Sequence, residues 1–430
     1  MKKLIPVFLL VALLLCACAG PAGTDEGPDH TVITFHDGSV DIQGGGARDT
    51  GSTVTISAAG TYEVTGSGNG DKPLVIDTGD DAMDVTVILN NAELICLSGP
   101  AIHVCQAKNF RLQLAAGSEN VLVSGTEELL QTPDPNASGA ALFSEDDMDI
   151  EGNGSLTVYG YINNGIACKN DLDLNSGTIT VVAANNGVRG SDSVQIKGGT
   201  LTVTAQGDGI KSATDDKEGK GYVEIAGGNV IVEAWGDGIQ AATELRVSGG
   251  AVQVTALGDG MEQSSKALKA EKDVVISGGN LVLNAQEDGI RSTTGNVILS
   301  GGSLEICALA DGIKAGEKDS GLGDIRISGG ETLIFAGKHG LKARGLFTMS
   351  AGRLTALCGS DKQAAPAEGV SSALCKLEGV AGDRILIGQE SGGLEAKLDY
   401  RCLLYADGSL NPGESINVTG GGHSTVVIVA

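Results

Sequence analysis

A short turn motif recurs through the middle of the chain and limits the possible folds more than any other feature. It has the form x-[Asp/Asn]-Gly, with middle residues Asn164, Asn186, Asp208, Asp237, Asp259, Asp288 and Asp311, and His339 in a degenerate last copy. Four of the steps between middle residues are 22 or 23 positions, and the other three are 28 or 29. The repeating unit is therefore about 22 residues long and carries insertions in alternate copies.

Each unit also has the same internal pattern of strands and turns. A short strand follows the Asp-Gly turn, a second strand ends at a Gly-Gly turn such as Gly227-Gly228, and a third strand alternates apolar and polar residues before an alanine. The segment Val230–Ala234 is an example of this third strand. Alternation with period two indicates strands with one buried face.

This unit predicts a solenoid. Three short strands cannot bury their apolar faces alone, whereas stacked copies form one continuous core. A propeller blade needs about 40 residues, and the leucine-rich frame is absent. We therefore expect an all-β fold, a right-handed parallel β-helix with about 22 residues per coil and a C-terminal cap. The handedness follows from the usual right-handed crossover.

The N-terminus predicts export and lipid attachment. Lys2 and Lys3 precede a short apolar stretch that ends at Cys18, the cysteine of a lipobox. We expect a lipoprotein signal peptide over 1–18, a linker over 19–30, the β-helix over 31–400 and the cap over 401–430. The protein would then be extracellular and held at the membrane by lipid on Cys18; an ordinary secretory signal is the alternative.

The net charge and the cysteine content limit which partners and cofactors are plausible. The formal net charge of −25 argues against nucleic acid, because a phosphate polymer would be repelled. Seven cysteines follow Cys18, and no CxxC pair suggests zinc or redox chemistry. We expect no disulfide framework, a small core residue at Cys358, and a monomer.

The stacked turns predict a column of carboxylates. Residues at the same point of successive coils lie about 4.8 Å apart. Adjacent carboxylates at that spacing repel by roughly 1 kcal/mol in water. Calcium would offset this repulsion, since it accepts many oxygen ligands. The candidate metal ligands are Asp208, Asp237, Asp259, Asp288 and Asp311; the alternative is that each aspartate only shapes its turn.

A second column lies three residues after the first and predicts a ligand-binding face. It contains Arg189, Lys211, Gln240, Glu262, Arg291, Lys314 and Lys342. The cations could pair with carboxylates along a polymer, or they could neutralise the aspartates. The insertions 212–221, 262–271 and 315–323 are expected to follow this strand and project from one edge. Trp235, the only tryptophan, could stack on a sugar or cover a corner.

Several segments resemble a known family. The signal with its lipobox, the segments Gly60–Gly66 and Leu142–Ile150, and the Gly-Asp-Gly-Ile repeats resemble the carbohydrate-binding β-helix lipoproteins of anaerobic plant-wall-degrading bacteria. The likeness covers roughly Val32 to Val370. It implies a right-handed helix like that of pectate lyases, bound Ca²⁺ at the aspartate column, and affinity for acidic sugars and cellulose without clear catalysis.

The leading hypothesis is a cell-surface protein that binds acidic plant-wall polysaccharide such as polygalacturonate with calcium. Arg189, Lys211, Trp235, Arg291, Lys314 and Lys342 are its candidate carbohydrate-binding residues. One alternative is a polysaccharide lyase in which Arg189 or Arg291 is the base. The other is a surface adhesin with a protein ligand, which only the fold supports.

Overall fold

The computed structural model describes residues 30–68, 71–79, 83–131, 139–215, 217–258, 264–317, 323–363, 365–388 and 393–430. The signal peptide, Cys18 and nearly all of the linker lie outside these residues, as do Asp259 and Glu262. Within the described ranges, no helix has the length and apolar character needed to cross a membrane.

The chain forms a parallel β-solenoid of about 11 turns, so the predicted fold class is confirmed; its handedness stays a prediction. Coils recur at roughly 25 residues on average, which is the 22-residue unit plus its insertions. Each regular coil contributes one strand to each of three faces. Strands are numbered in chain order.

Face 1 contains the strands that follow the Asp-Gly turns. They form a 13-stranded sheet. Its strands are β3 Ala47–Asp49, β4 Val54–Ile56, β6 Leu74–Asp77, β8 Ile102–Gln106, β11 Ala140–Ser144, β14 Asn164–Cys168, β17 Val188–Gly190, β20 Ile210–Ser212, β23 Ile239–Ala241, β26 Leu268–Ala270, β29 Ile290–Ser292, β32 Ile313–Ala315 and β35 Leu341–Ala343.

Faces 2 and 3 are joined at their N-terminal end into one 27-stranded sheet, because the long strands β5 Gly60–Gly68 and β7 Asp84–Cys96 run through both. Face 2 continues with β9 Asn109–Leu114, β12 Met148–Gly152, β15 Asp171–Leu174, β18 Ser193–Ile196, β21 Tyr222–Ile225, β24 Leu245–Val247, β27 Val274–Ile276, β30 Val297–Leu299, β33 Ile325–Ile327, β36 Phe347–Met349 and β38 Glu368–Gly369. Face 3 continues with β10 Glu119–Ser124, β13 Ser155–Gly160, β16 Thr178–Ala183, β19 Thr200–Ala205, β22 Asn229–Ala234, β25 Ala251–Ala256, β28 Asn280–Ala285, β31 Ser303–Ala308, β34 Glu331–Ala336 and β37 Arg353–Cys358.

The two ends depart from the coil pattern. The first strands, β1 Thr31–His36 and β2 Ser39–Gln43, pair antiparallel. A 3-10 helix spans Glu127–Gln131. The C-terminal part contains β39 Ser372–Gly379, β40 Arg384–Ile387, β41 Leu394–Glu395, β42 Tyr400–Asp407, β43 Ser415–Gly420 and β44 His423–Ile428.

Alternating burial builds the core as the pattern predicts. In β22, Val230, Val232 and Ala234 are buried, while the residues between them face outward. The glycine of the turn motif is required by close packing of the coils. A Cβ on Gly209 would lie 2.2 Å from Val232 Cγ1 and 2.6 Å from the carbonyl oxygen of Gly238. Only glycine therefore lets the turn approach the next coil this closely.

The C-terminal cap covers the end of the solenoid and part of face 3. Strand β42 pairs antiparallel with β37 and with β39. Phe335 and Leu357 point outward from face 3, yet they are buried in a second apolar cluster with the cap. The last parallel pairing is that of β38 with β36, and antiparallel pairing begins with β39 at Ser372, before the boundary expected at residue 400. Covering these edges leaves fewer unpaired backbone groups at the open end.

Candidate functional site

The middle residues of the turn motif form a buried, hydrogen-bonded column along the edge of face 1. We call Asn164, Asn186, Asp208, Asp237, Asp288 and Asp311 the acid column. Side-chain Oδ1 atoms accept the backbone N–H of the equivalent residue on the next coil. The N–H of Asp237 donates to Asp208 at 2.8 Å, and that of Asp311 donates to Asp288 at 3.1 Å. The same bond joins Asn186 to Asn164, so the amide performs this structural role equally well.

The cations of face 1 neutralise the remaining carboxylate oxygens. Each of four lysines places its Nζ near an Oδ2 atom of the acid column. The pairs are Lys211–Asp208 at 2.6 Å, Lys269–Asp237 at 2.8 Å, Lys342–Asp311 at 3.2 Å and Lys314–Asp288 at 3.6 Å. This geometry favours the alternative in which the cations offset repulsion between the aspartates.

Hydrogen bonds keep Asp311 ionised at the end of the column. Burial acts to raise the pKa of its carboxyl. Bonds from His339, whose Nδ1 lies 2.7 Å from Oδ1, and from Lys342 outweigh burial and lower that pKa below its usual value. His339, in the degenerate last copy of the motif, thus contacts Asp311 through its side chain as well as its backbone N–H.

In one coil, the strand register differs from the repeat positions predicted from the sequence. Strand β23 pairs with Leu268–Ala270, so Lys269 stands next to Gln240 where Glu262 was expected. The N–H of Lys266 donates to Asp237 Oδ1 at 2.9 Å, which is the bond that an acid-column residue makes. Lys266 therefore occupies the place assigned to Asp259. The insertion in this coil, 258–265, comes before the face 1 strand and not after it, unlike the insertions that follow β20 and β32.

The acid column does not fit a calcium site. Calcium prefers several carboxylate and carbonyl oxygens around one position. Here the oxygens accept backbone N–H groups and face lysine ammonium groups. Within the described ranges, no group of three or more His, Cys, Asp or Glu side chains could hold a metal ion. Calcium dependence stays a prediction from the sequence.

A cleft opens on face 1 beside Lys266, where the acid column is interrupted. Its volume is about 590 Å³, and it spans the coils from Lys266 to Lys338. We call it the cationic cleft. Its charged lining is Lys266, Lys269, Arg291, Lys314 and Lys338 with Glu271, Glu287, Asp288 and Glu317. Unlike the surface as a whole, this lining holds five cations against four anions.

Arg291 is the exceptional side chain of the cleft. It is only 5% exposed. Its Nη2 donates to Glu317 Oε1 at 2.7 Å, while its Nη1 is buried and has no hydrogen-bond partner among the described residues. A buried donor without a partner costs about 1–3 kcal/mol, and more when the group is charged. The guanidinium therefore keeps one donor unmet beneath the lining of the cleft, which an oxygen ligand would satisfy only after the side chain turns outward.

Lys266 interrupts the acid column, and this interruption explains why Arg291 has no aspartate as its ion-pair partner. Lys269, Lys314 and Lys342 each reach back to the acid-column residue of the preceding coil. Arg291 follows Lys269 in the register, so the residue at that place is Lys266. Lys266 is itself cationic and pairs with Glu287. The guanidinium turns instead to Glu317, in the insertion after β32.

The other predicted ligand-binding residues lie elsewhere. Lys211 pairs with Asp208, and Lys342 pairs with Asp311, outside the cleft lining. Arg189 stands beside Lys211, four coils from Arg291, or about 19 Å at 4.8 Å per coil. Trp235 is half-buried at the corner between faces 3 and 1 and does not line the cleft. Of the predicted set, Arg291 and Lys314 come together there.

Sequence reasoning missed Lys266, Lys269, Lys338 and Glu317. A signal for Lys269 was present, because Leu268-Lys269-Ala270 has the same pattern as Ile313-Lys314-Ala315. The Gly258-Asp259-Gly260 triplet matched the turn motif more closely, so Asp259 was assigned to the column position that Lys266 occupies. Lys338 is the variable first residue of the degenerate turn, and Glu317 lies in an insertion, so neither position has a fixed residue type in the repeat that would mark it as part of a site.

Comparison with known proteins identifies relatives. A family model described as carbohydrate-binding domain-containing protein matches residues 50–306 and 263–426. A carbohydrate-binding domain-containing protein of Acetivibrio thermocellus is 33% identical over 188 residues, which cover 42% of this chain and 65% of the relative. The chain thus spans just under two thirds of that relative's length. A solved structure, the gadolinium derivative of the polysaccharide lyase-like protein from C. thermocellum, is 28% identical, with 62% of this chain and 96% of that chain covered and a TM-score of 0.49.

Proposed function

Since the chain belongs to the family of carbohydrate-binding domain-containing proteins, we propose that its cationic cleft binds an acidic polysaccharide of the polygalacturonate type. The observation that carries this proposal is the buried, unpartnered Nη1 of Arg291. A uronate carboxylate in the cleft would satisfy that donor once the guanidinium turns toward it. Arginine is suited to this role because its planar guanidinium matches the two oxygens of a carboxylate.

The surrounding charges favour an anionic ligand over a neutral one. Lys338 is exposed at the rim, and Lys314 lies 3.6 Å from its aspartate, the longest of the four lysine pairs. These ammonium groups attract carboxylates along a polymer and raise its local concentration. The acidic remainder of the protein repels the same polymer, which confines binding to the cleft.

Affinity electrophoresis tests the proposal directly. Native gels containing polygalacturonate should retard the protein, while gels with an uncharged galactan should not. Arg291→Gln should weaken retardation by about 10- to 100-fold in the dissociation constant, the equivalent of 1.5–3 kcal/mol for a hydrogen bond to a charged group. Lys108→Gln, an exposed lysine distant from the cleft, is the charge-matched control. Equal migration in both gels would refute the proposal.

A chelator arm tests calcium separately. The acid column supplies no vacant oxygen cluster, so we expect retardation to persist when calcium is removed. Loss of retardation with chelator would support the calcium dependence predicted from the sequence, with ligands other than the acid column.

Binding without bond cleavage is the form of the proposal that the cleft favours. A lyase base must accept a proton, and an arginine guanidinium stays protonated in proteins. Unsaturated uronate products would absorb ultraviolet light; a steady increase in absorbance, abolished by Arg189→Gln or Arg291→Gln, would replace binding by lyase activity.

Surface location is part of the same proposal. A protein anchored by lipid on Cys18 would hold polysaccharide beside the cell. Metabolic labelling with a radioactive fatty acid should mark the wild-type chain and leave Cys18→Ala unlabelled. Label on both variants would contradict attachment at Cys18.

A further inference from the structure

Two cysteines face each other where the cap joins the last coil. Strands β37 and β42 are antiparallel, and their register places Cys358 opposite Cys402. The first thiol is fully buried and the second is 3% exposed. Both are free in the structure, and both belong to the core that runs through the solenoid.

This register meets the geometric requirement of a disulfide. Directly opposed residues of an antiparallel pair have Cα atoms roughly 4.5–5.5 Å apart, and their side chains point to the same side of the sheet. Disulfides span Cα separations of about 4.4–6.8 Å. A bond could therefore form without moving either strand. Cys375, on β39, pairs with Leu403, so its side chain lies on the opposite side of the sheet from that of Cys402.

We propose that Cys358 and Cys402 form a disulfide that fastens the cap to the last coil of the solenoid. The oxidant is a small disulfide such as oxidised glutathione. One protein thiolate attacks it and releases a first small thiol, and the second protein thiol then displaces a second small thiol. The protein gives up two protons and two electrons, and the small disulfide takes them up as two thiols.

The docked cap makes the acidities of the two thiols unequal. The hydrogen bond from the Cys402 thiol lowers the pKa of Cys358, and the same contact raises the pKa of Cys402. The thiolate is the nucleophile in exchange; this contact exists only while the cap is docked, so either thiol can attack first once the cap is open. Because both groups are buried, exchange takes place before the cap has docked or when it opens.

The consequence would be a cap that separates less readily from the solenoid. A cross-link restricts the unfolded ensemble and opposes opening of the segment that it closes. The segment between the two cysteines contains β39, which pairs with β42. The outward apolar residues Phe335 and Leu357 depend on the cap for their burial. Oxidation would therefore protect the outward apolar residues of face 3 that the cap covers.

Thiol counting on the full chain tests this inference. The protein is refolded with oxidised glutathione, denatured, alkylated and digested, beside a sample kept in excess reductant. We expect loss of two alkylatable thiols and a peptide pair joined through Cys358 and Cys402. Cys375→Ala should form the same pair, and Cys402→Ala should not.

Opening of the cap provides a second measurement. Amide hydrogen exchange in 372–379 and 400–407 should slow at least tenfold on oxidation in the wild type and in Cys375→Ala. If Cys402→Ala fails to fold, the wild-type and Cys375→Ala samples still decide the question. Alkylation of both Cys358 and Cys402 after oxidative refolding would overturn the inference, as would a Cys375–Cys402 pair. Neither readout involves a sugar, so the outcome is independent of polysaccharide binding.

Discussion

Two stretches of the same face use the same residue types with opposite results. Around Asp208 and Asp237, every described carboxylate of the acid column has a lysine within 2.8 Å. Around Arg291, the preceding coil presents Lys266, and the guanidinium keeps one buried donor unmet. The first stretch is a neutralised structural column, and in the second Arg291 pairs with Glu317 but keeps one donor unmet. The two stretches differ at one register position, where Lys266 replaces an acid-column residue. A local departure from the repeat is therefore a better indicator of a binding site than the repeated residues are.

Removing a carboxylate from the paired stretch should have the largest effect. Asp237 is fully buried and accepts bonds from Lys269 and from the N–H of Lys266. Asp237→Ala leaves a partly buried cation and a backbone donor without partners, so we expect a loss of about 2–4 kcal/mol in the free energy of unfolding. Chemical denaturation measures it. Asp237→Asn keeps the backbone acceptor, as Asn186 does, and should lose less than half as much. Equal losses for both variants would mean that the charge alone matters.

Restoring an acid-column carboxylate next to Arg291 should abolish polysaccharide binding in the cleft. Lys266→Asp places a carboxylate where Arg291 can reach back to it, as Lys269 reaches Asp237. We expect polygalacturonate affinity to fall by at least tenfold, about 1.4 kcal/mol, in electrophoresis or calorimetry. Lys266→Asn removes the cation without supplying an anion, so its affinity should lie between those of the wild type and Lys266→Asp. Undiminished binding by Lys266→Asp would separate the ligand from Arg291.

Much of this comparison could be predicted from the sequence. Alternating residues such as Val230 and Val232, together with the Gly-Gly turns, were sufficient for the solenoid and for the direction of each side chain. The column of aspartates was also correct in its existence, because Asp208, Asp237, Asp288 and Asp311 do stack. Residues that recur at a regular interval in the sequence lie at a regular interval along the solenoid axis.

The pairing within the columns could not be predicted in the same way. An insertion can enter a coil at either of two corners, and the triplet at residues 258–260 resembled the turn motif although the register passes through Lys266. Which lysine reaches which carboxylate depends on side-chain lengths between coils. Outward Phe335 and Leu357 gave a signal for a covered face, but the covering segment lies in the non-repeating C-terminus.

Acid should loosen the end of the column by a smaller amount. The folded-state pKa of Asp311 is lowered, so its ion pairs contribute stability above the ordinary carboxyl pKa of about 3.9 and lose it as pH falls through the lower folded value. Each unit of lowering corresponds to about 1.4 kcal/mol. Asp311→Asn should therefore be less stable than the wild type at neutral pH and approach it in acid. Parallel stability curves in urea between pH 7 and pH 2 would argue against this contribution.

The weakest effect should come from Lys211, which tests whether position in the cation column is enough for binding. Its Nζ lies 2.6 Å from Asp208, and its side chain is 29% exposed. A partly exposed ion pair contributes about 1 kcal/mol or less. Lys211→Gln should therefore cost no more than that in urea denaturation and leave polygalacturonate retardation unchanged, because the charge it removes is already neutralised. If Lys211→Gln weakened binding as much as Arg291→Gln, the ligand would follow the whole column of cations, and the break at Lys266 would not define the site.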